Sequence, residues 1–99
     1  MAAVGGHLAA MTIRRRVLVH GRVQAVGFRV SVARRADQRR IAGWVRNRPD
    51  GTVEAVFEGE PEAVASLVEF CRDGPRGASV ARIDVTDEAP EGLAWFDVR

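Results

Sequence analysis

Apolar residues alternate along Ile13 to His20, with Ile13, Val17 and Val19 on one parity, and the run is rich in β-branched side chains, so it predicts a strand. From Gly27 to about Arg39 the period lengthens. Val26, Val30, Ala33 and Asp37 follow one helical row, and Phe28, Val32 and Ala36 another. Together they form an apolar face wide enough to cover a sheet, with Arg34, Arg35, Gln38 and Arg39 left to water. Ile41 to Asn47, with Trp44 and Val45 inside it, reads as a second strand. Pro49-Asp50-Gly51 is turn chemistry. Thr52 to Glu58 then alternates again, with Val53, Ala55 and Phe57 on one side and Thr52, Glu54, Val56 and Glu58 on the other. These two strands predict a hairpin. Glu60-Pro61-Glu62 opens a second helix, in which Val64, Leu67, Val68 and Cys71 recur at i, i+3, i+4 and i+7, and Asp73-Gly74-Pro75 closes it. Beyond it, Val80 shares parity with Arg82 and Asp84, while Ala81, Ile83 and Val85 share the other; this is a strand whose buried face alternation leaves open. Pro90 to Gly92 turns, and Phe96 and Val98 alternate in a short closing strand.

The order is β-α-β-β-α-β with a closing strand. It predicts the α+β class and a ferredoxin-like βαββαβ sandwich, one antiparallel sheet with two helices on one face. Residues 1–12 are expected to be a disordered or loosely attached leader, and residues 13–99 the folded domain. The leader has no basic n-region, and Gly5-Gly6-His7 interrupts its apolar character, so it does not read as a signal peptide. No apolar run approaches the roughly 18 residues of a membrane span. A single cysteine, Cys71, excludes an intramolecular disulfide and fits a reducing cytoplasm; its place on the apolar helix face makes it a core residue. A cytoplasmic monomer with no membrane partner is the expectation.

The net charge of +2 conceals an asymmetry. Residues 1–48 hold eleven arginines and one carboxylate, Asp37, whereas residues 49–99 hold four arginines and twelve carboxylates. A basic half can attract anions or nucleic acid. Reading single-stranded RNA on such a sheet requires aromatics on the central strands. The first strand has none, and Phe57 shares its parity with Val53 and Ala55, so no nucleic-acid partner is expected.

The most informative stretch runs from Gly21 to Arg29. The apolar run Val17-Leu18-Val19 leads in, two glycines bracket a short loop, and a helix follows. Orphan N–H groups and the positive end of a helix dipole converge at such a junction and form an anion site. Arg29 is a cation in the first helical turn, poorly placed for the dipole unless an anion sits there; its guanidinium fork matches phosphate oxygens two at a time. The same Gly-x₅-Gly bracket also occurs in turns that hold nothing, and it matches neither the Walker lysine pattern nor Gly-x-Gly-x-x-Gly. Asn47 ends the second strand; if that strand lies near the first, the amide can face the loop mouth, although asparagine is also an ordinary turn residue. No spacing of Cys, His or Asp is of metal type, so no metal site is expected. His7 lies in the leader, and His20 on the first strand is expected to be packed or exposed rather than catalytic.

Four blocks in order, Gly21-Arg22-Val23-Gln24-x-Val26-Gly27-Phe28-Arg29, Gly43-Trp44-Val45-Arg46-Asn47, Asp50-Gly51-x-Val53-Glu54 and Gly74-Pro75-x-x-Ala78-x-Val80, resemble the acylphosphatases over roughly residues 14–98. The resemblance implies the fold already reached, and hydrolysis of carboxyl-phosphate anhydrides to a carboxylate and inorganic phosphate. It implies that the phosphoryl group is held by the loop Gly21, Arg22, Val23, Gln24, Ala25, Val26, Gly27 and Phe28 together with Arg29. Asn47 would orient the attacking water, with no metal, cofactor or covalent intermediate. The alternative is a non-catalytic regulatory domain that binds phosphate or an acyl phosphate without turnover. Two departures stand out. Ala25 occupies a position that is usually glycine, which costs on the order of 1 kcal/mol if φ is positive there and merely stiffens the loop if it is negative. Arg39-Arg40-Ile41 replaces a Leu-Gly-Leu, losing a glycine after the first helix.

Overall fold

A computed structural model describes residues 11–99; of the expected leader, only Met11 and Thr12 fall within it, both exposed, and residues 1–10 lie outside the described residues. Seven elements follow in order: β1 (Ile13–Arg22), α1 (Phe28–Gln38), β2 (Ala42–Asn47), β3 (Val53–Gly59), α2 (Pro61–Asp73), β4 (Ser79–Glu88) and β5 (Phe96–Val98). The sheet order is β4-β1-β3-β2-β5. Three pairings are antiparallel, β1 with β3, β1 with β4 and β2 with β3, whereas β5 runs parallel to β2. The sheet is therefore mixed rather than wholly antiparallel. The cause is a crossing: β4 lies on one edge, and the chain passes over the end of the sheet to reach the other, where it lies beside β2 in the same direction. Helix α1 begins one residue later and ends one residue earlier than the periodicity suggests, and β2 starts at Ala42 rather than Ile41.

The register sets the core. Val17 opposes Ala55 and Val19 opposes Val53, while Val45 opposes Ala55 from the other side. These side chains share one face of the sheet and pack with Phe57 against Phe28, Val32 and Ala36 of α1 and Val64, Leu67 and Cys71 of α2. Burial of these side chains contributes about 1.5–3 kcal/mol for each large one. Cys71 is a core residue as expected; burial pushes its thiol up to about 12, which removes any nucleophilic role near neutral pH. The Val26, Val30, Ala33 row behaves differently. Val26 packs partly against the core and Val30 is 56% exposed, because only the Phe28, Val32, Ala36 row points squarely at the sheet.

Alternation failed to assign a face to β4 because the strand carries a bulge. The pairing runs Val19–Ile83, His20–Arg82, then Gly21–Val80, so Ala81 is the extra residue. Parity reverses across it, and both Val80 and Ile83 reach the core. Gly21 is what allows the bulge: its φ is +126°, and a Cβ there would run into the Ser79 carbonyl.

Part of the charge asymmetry is paired off on the other sheet face. Arg14 donates to Glu58 at 2.6 Å and to Glu88 at 2.8 Å, Arg16 donates to Glu54 at 2.6 Å and Glu88 at 2.7 Å, and Arg46 donates to Glu54 at 2.7 Å. Arginines from the basic half thus face carboxylates from the acidic half across neighbouring strands. Trp44 lies among them, with the guanidinium carbons of Arg16, Arg46 and Arg99 at 5.4, 5.5 and 4.8 Å from its ring. His20 joins the same surface, paired with Asp84 at 2.8 Å.

Hydrogen bonds from Arg16 and Arg14 pull the Glu88 carboxyl down to about 2 from an ordinary 4.5. A carboxylate depressed in the folded state contributes stability above its unfolded pKa, and that contribution is lost as pH falls through the folded one. Stability is therefore expected to drop between about pH 4.5 and 2, and a urea-unfolding series should show a shallower drop for Glu88→Gln. Equal slopes for the two proteins would contradict the pairing.

Candidate active site

The loop from Val23 to Gly27 joins β1 to α1. Val23 is buried and fastens the loop to the core. Ala25 and Gly27 are both left-handed, with φ of +61° and +74°. Left-handed residues spaced through a bend turn backbone N–H groups toward one concave side. The N–H groups of Ala25 through Val30 have no acceptor among the described residues; the first bond at this end of the helix is from Ser31 N–H to the Gly27 carbonyl, at 3.0 Å. The two helices differ sharply here. Helix α2 starts conventionally, with Pro61 in its first turn and the Glu62 carboxylate near its dipole. Neither helix has a capping side chain, but α1 also lacks an acidic residue in its first turn and carries Arg29 instead. No acidic side chain in the first turn offsets its positive end.

Arg29 pairs with no Asp or Glu side chain among the described residues; its Nη1 donates to the main-chain oxygen of Arg99 at 2.8 Å. Arg99 is placed by β5, its own N–H donating to the Val45 carbonyl at 2.8 Å. Asn47 ends β2. That strand does not neighbour β1, since β3 lies between them. The asparagine reaches the loop by another route. The Gln24 amide donates to the carbonyls of Arg48 and Thr52, at 2.8 and 2.9 Å, and so ties the loop to the β2–β3 turn. Asp50 braces that turn, accepting from Thr52 N–H at 3.0 Å and Thr52 Oγ1 at 2.6 Å, bonds that hold its carboxyl below the usual range. The Asn47 Oδ1 is buried with no hydrogen-bond partner among the described residues. A buried acceptor in that state costs roughly 1–3 kcal/mol, so it calls for a donor from a ligand or water.

A cavity of about 80 Å³ brings together Val23, Ala25, Gly27, Phe28, Arg29, Val30 and Asn47. It suits a small oxyanion rather than a nucleotide, since sites for drug-sized ligands run to roughly 300–1,000 Å³. Of the expected loop, Gly21 and Arg22 lie instead in β1, Gln24 points its side chain at the hairpin, and Val26 packs against the core. Val30 and the Arg99 main-chain oxygen are additions that no local pattern announced. A larger cavity of about 510 Å³ opens at the other end of α1, beside Asp37, Arg40 and Trp95; its one buried carboxylate, Glu58, is already fully engaged.

The two departures both fall on left-handed residues. Ala25 has φ +61° and Arg40 has φ +55°, where Ile41 N–H closes the end of α1 on the Ala36 carbonyl at 2.8 Å. Each is expected to gain about 0.5–1 kcal/mol on substitution by glycine, read as a rise in the urea midpoint for Ala25→Gly and Arg40→Gly. Destabilisation by either would contradict the assigned backbone.

A small α+β sandwich with an uncapped helix N-terminus, an arginine free of Asp and Glu partners and an unsatisfied amide in one cavity has the chemistry of an anion site. The acylphosphatase family model matches residues 15–98. An acylphosphatase of Gloeobacter violaceus is 51% identical over 89 residues, covering 90% of this chain and 96% of the relative. One from a Nocardioides species is 55% identical over 83 residues, 84% of each chain. The crystal structure of the Bacillus subtilis acylphosphatase superposes with a TM-score of 0.85 at 43% identity, covering 90% of this chain and 99% of that one. The chain belongs to the acylphosphatase family, enzymes that hydrolyse acyl phosphates.

Proposed function

We propose that the Val23–Gly27 loop, the first N–H groups of α1 and Arg29 hold the phosphoryl group of a small acyl phosphate, and that Asn47 orients the water that attacks it. The observation that carries this reading is the buried, unpartnered Asn47 Oδ1 in the same cavity as Arg29. An acyl phosphate has a good leaving group, so catalysis rests on holding charge on the equatorial oxygens and placing water in line. Fixed N–H donors and the guanidinium do the first. The Asn47 oxygen accepts a hydrogen bond from the water and points its lone pair at phosphorus. As the new P–O bond forms, the bond to the acyl oxygen breaks; the carboxylate leaves with the electron pair, and the water's proton ends on the inorganic phosphate or in solvent. A neutral amide needs to take no proton, so the chemistry requires no histidine, metal or cofactor.

The same reading takes the protein as a cytoplasmic monomer without nucleic-acid partners. Pairing of the β1 arginines with carboxylates leaves little free charge there for a polyanion. The sheet edges support a monomer: β5 has only three residues, and β4 displays Arg82, Asp84 and Asp87, which oppose edge-to-edge association. No helix among the described residues is long and apolar enough to cross a membrane. The test is phosphate release from acetyl phosphate by the purified protein, with and without chelator. Turnover indifferent to chelator is expected. Folded protein that binds inorganic phosphate but releases none from acetyl phosphate would instead be a binding domain.

A further inference from the structure

Val30 is an apolar residue with no role in the core. It follows Arg29 in the first turn of α1 and is 56% exposed, yet it lines the same cavity as Arg29 and Asn47. Side chains on a helix lean toward its N-terminus, so an isopropyl group at this position covers the surface over the preceding turn, which here is the loop mouth. Ala25, also exposed and also lining the cavity, supplies a second methyl. The cavity thus combines two chemistries. Its polar part is the Arg29 guanidinium, the Asn47 oxygen and free backbone N–H groups; its apolar exposed part is Ala25 and Val30. A bare oxyanion gains nothing from an apolar rim. A mixed anhydride does, because it carries a carbon skeleton next to its phosphoryl group. The volume of about 80 Å³ leaves that skeleton outside, lying against the mouth.

Resting on the hydrolase reading above, we propose that Val30, with Ala25 beside it, is the specificity-determining contact for the acyl half of the substrate, favouring acyl groups that are apolar and large enough to lie on it. The experiment compares kcat/KM for benzoyl phosphate and for acetyl phosphate in the wild type, Val30→Thr and Val30→Leu. Val30→Thr keeps the branched shape and exchanges one methyl for a hydroxyl. Loss of one methyl-sized apolar contact corresponds to about fourfold, so the benzoyl-to-acetyl ratio should fall by about that factor in Val30→Thr. In Val30→Leu it should hold or rise. A ratio within twofold of wild type in Val30→Thr overturns the proposal, as does an equal fall in Val30→Leu, which would mark a packing effect. Turnover with no shift in ratio defeats this inference alone. A folded wild type that turns over neither substrate defeats the hydrolase reading and this inference together.

Discussion

Arg29→Ala is expected to lose phosphate binding and turnover together, with kcat/KM for acetyl phosphate falling on the order of 10³-fold or more. The guanidinium is the one full positive charge lining the cavity, and it is held by the Arg99 main-chain oxygen and pairs with no Asp or Glu side chain among the described residues. Asn47→Ala should behave differently. Its kcat should fall roughly 10²-fold or more, while inorganic phosphate still inhibits competitively, because the amide is assigned to water and not to the phosphoryl group. Stability gives an independent check. The Asn47 oxygen is buried without a partner, so removing it should leave the urea midpoint unchanged or raise it. Loss of rate together with retained or improved stability is the signature of a functional residue. Full activity in Asn47→Ala would remove the water-orienting role.

The largest effect on stability is expected from Glu58. This side chain is 2% exposed, as is that of Arg14, its partner at 2.6 Å. The carboxylate also accepts from three successive backbone N–H groups, those of Glu91, Gly92 and Leu93, at 2.9, 3.1 and 3.2 Å. Burial alone would raise the Glu58 carboxyl, but the N–H bonds and Arg14 outweigh it and hold it low. Glu58→Ala would take from the buried Arg14 guanidinium its one buried partner, leaving the half-buried Glu88, and free the segment that crosses the end of the sheet. Breaking a buried pair in this way costs about 3–5 kcal/mol, a large part of the 5–15 kcal/mol typical of a whole domain. Replacing both partners, as in Arg14→Met with Glu58→Leu, often restores stability where only an ion pair is at stake. Here it should not, because three donors would still lack an acceptor. Chemical denaturation of the single and double variants tests this, and a double variant as stable as the wild type would refute it.

Much of the fold was legible because local chemistry and tertiary need agree along most of the chain. The hairpin turn, the proline start of α2 and its apolar stripe each announce themselves. Three features did not. The Ala81 bulge reverses the parity that strand reading relies on. The parallel placement of β5 depends on a crossing anchored by Glu58, and no local period encodes a contact 33 to 35 residues distant. The exposure of Val30 depends on how α1 rolls on the sheet, which periodicity alone leaves undetermined by a row.

At the site, Arg29 and Asn47 stood out as residue types out of place, a cation at a positive helix end and an amide at a strand end. Their meeting was reached by a different route from the one expected, through Gln24 and the hairpin rather than through adjacent strands. Gln24 shows the limit of motif reading: it sits in the middle of the loop block, yet its side chain turns away from the cavity to brace the turn. The Arg99 main-chain oxygen, 70 residues from Arg29, leaves no trace in any short window.

The pairing of arginines with carboxylates across strands also governs when the protein can form at all. Strand β1 borders β3 and β4, and its two most engaged arginines take partners as far along as Glu58 and Glu88. On a growing chain, the first strand to be made must wait, solvated and highly cationic, until almost the last one has been synthesised. Long waits of this kind mean high contact order and slow loop closure, so folding in milliseconds to seconds is expected rather than in microseconds. During that interval the unpaired β1 is the stretch most in need of protection, and its own charge supplies it, since a strand bearing three consecutive arginines repels its copies on neighbouring chains.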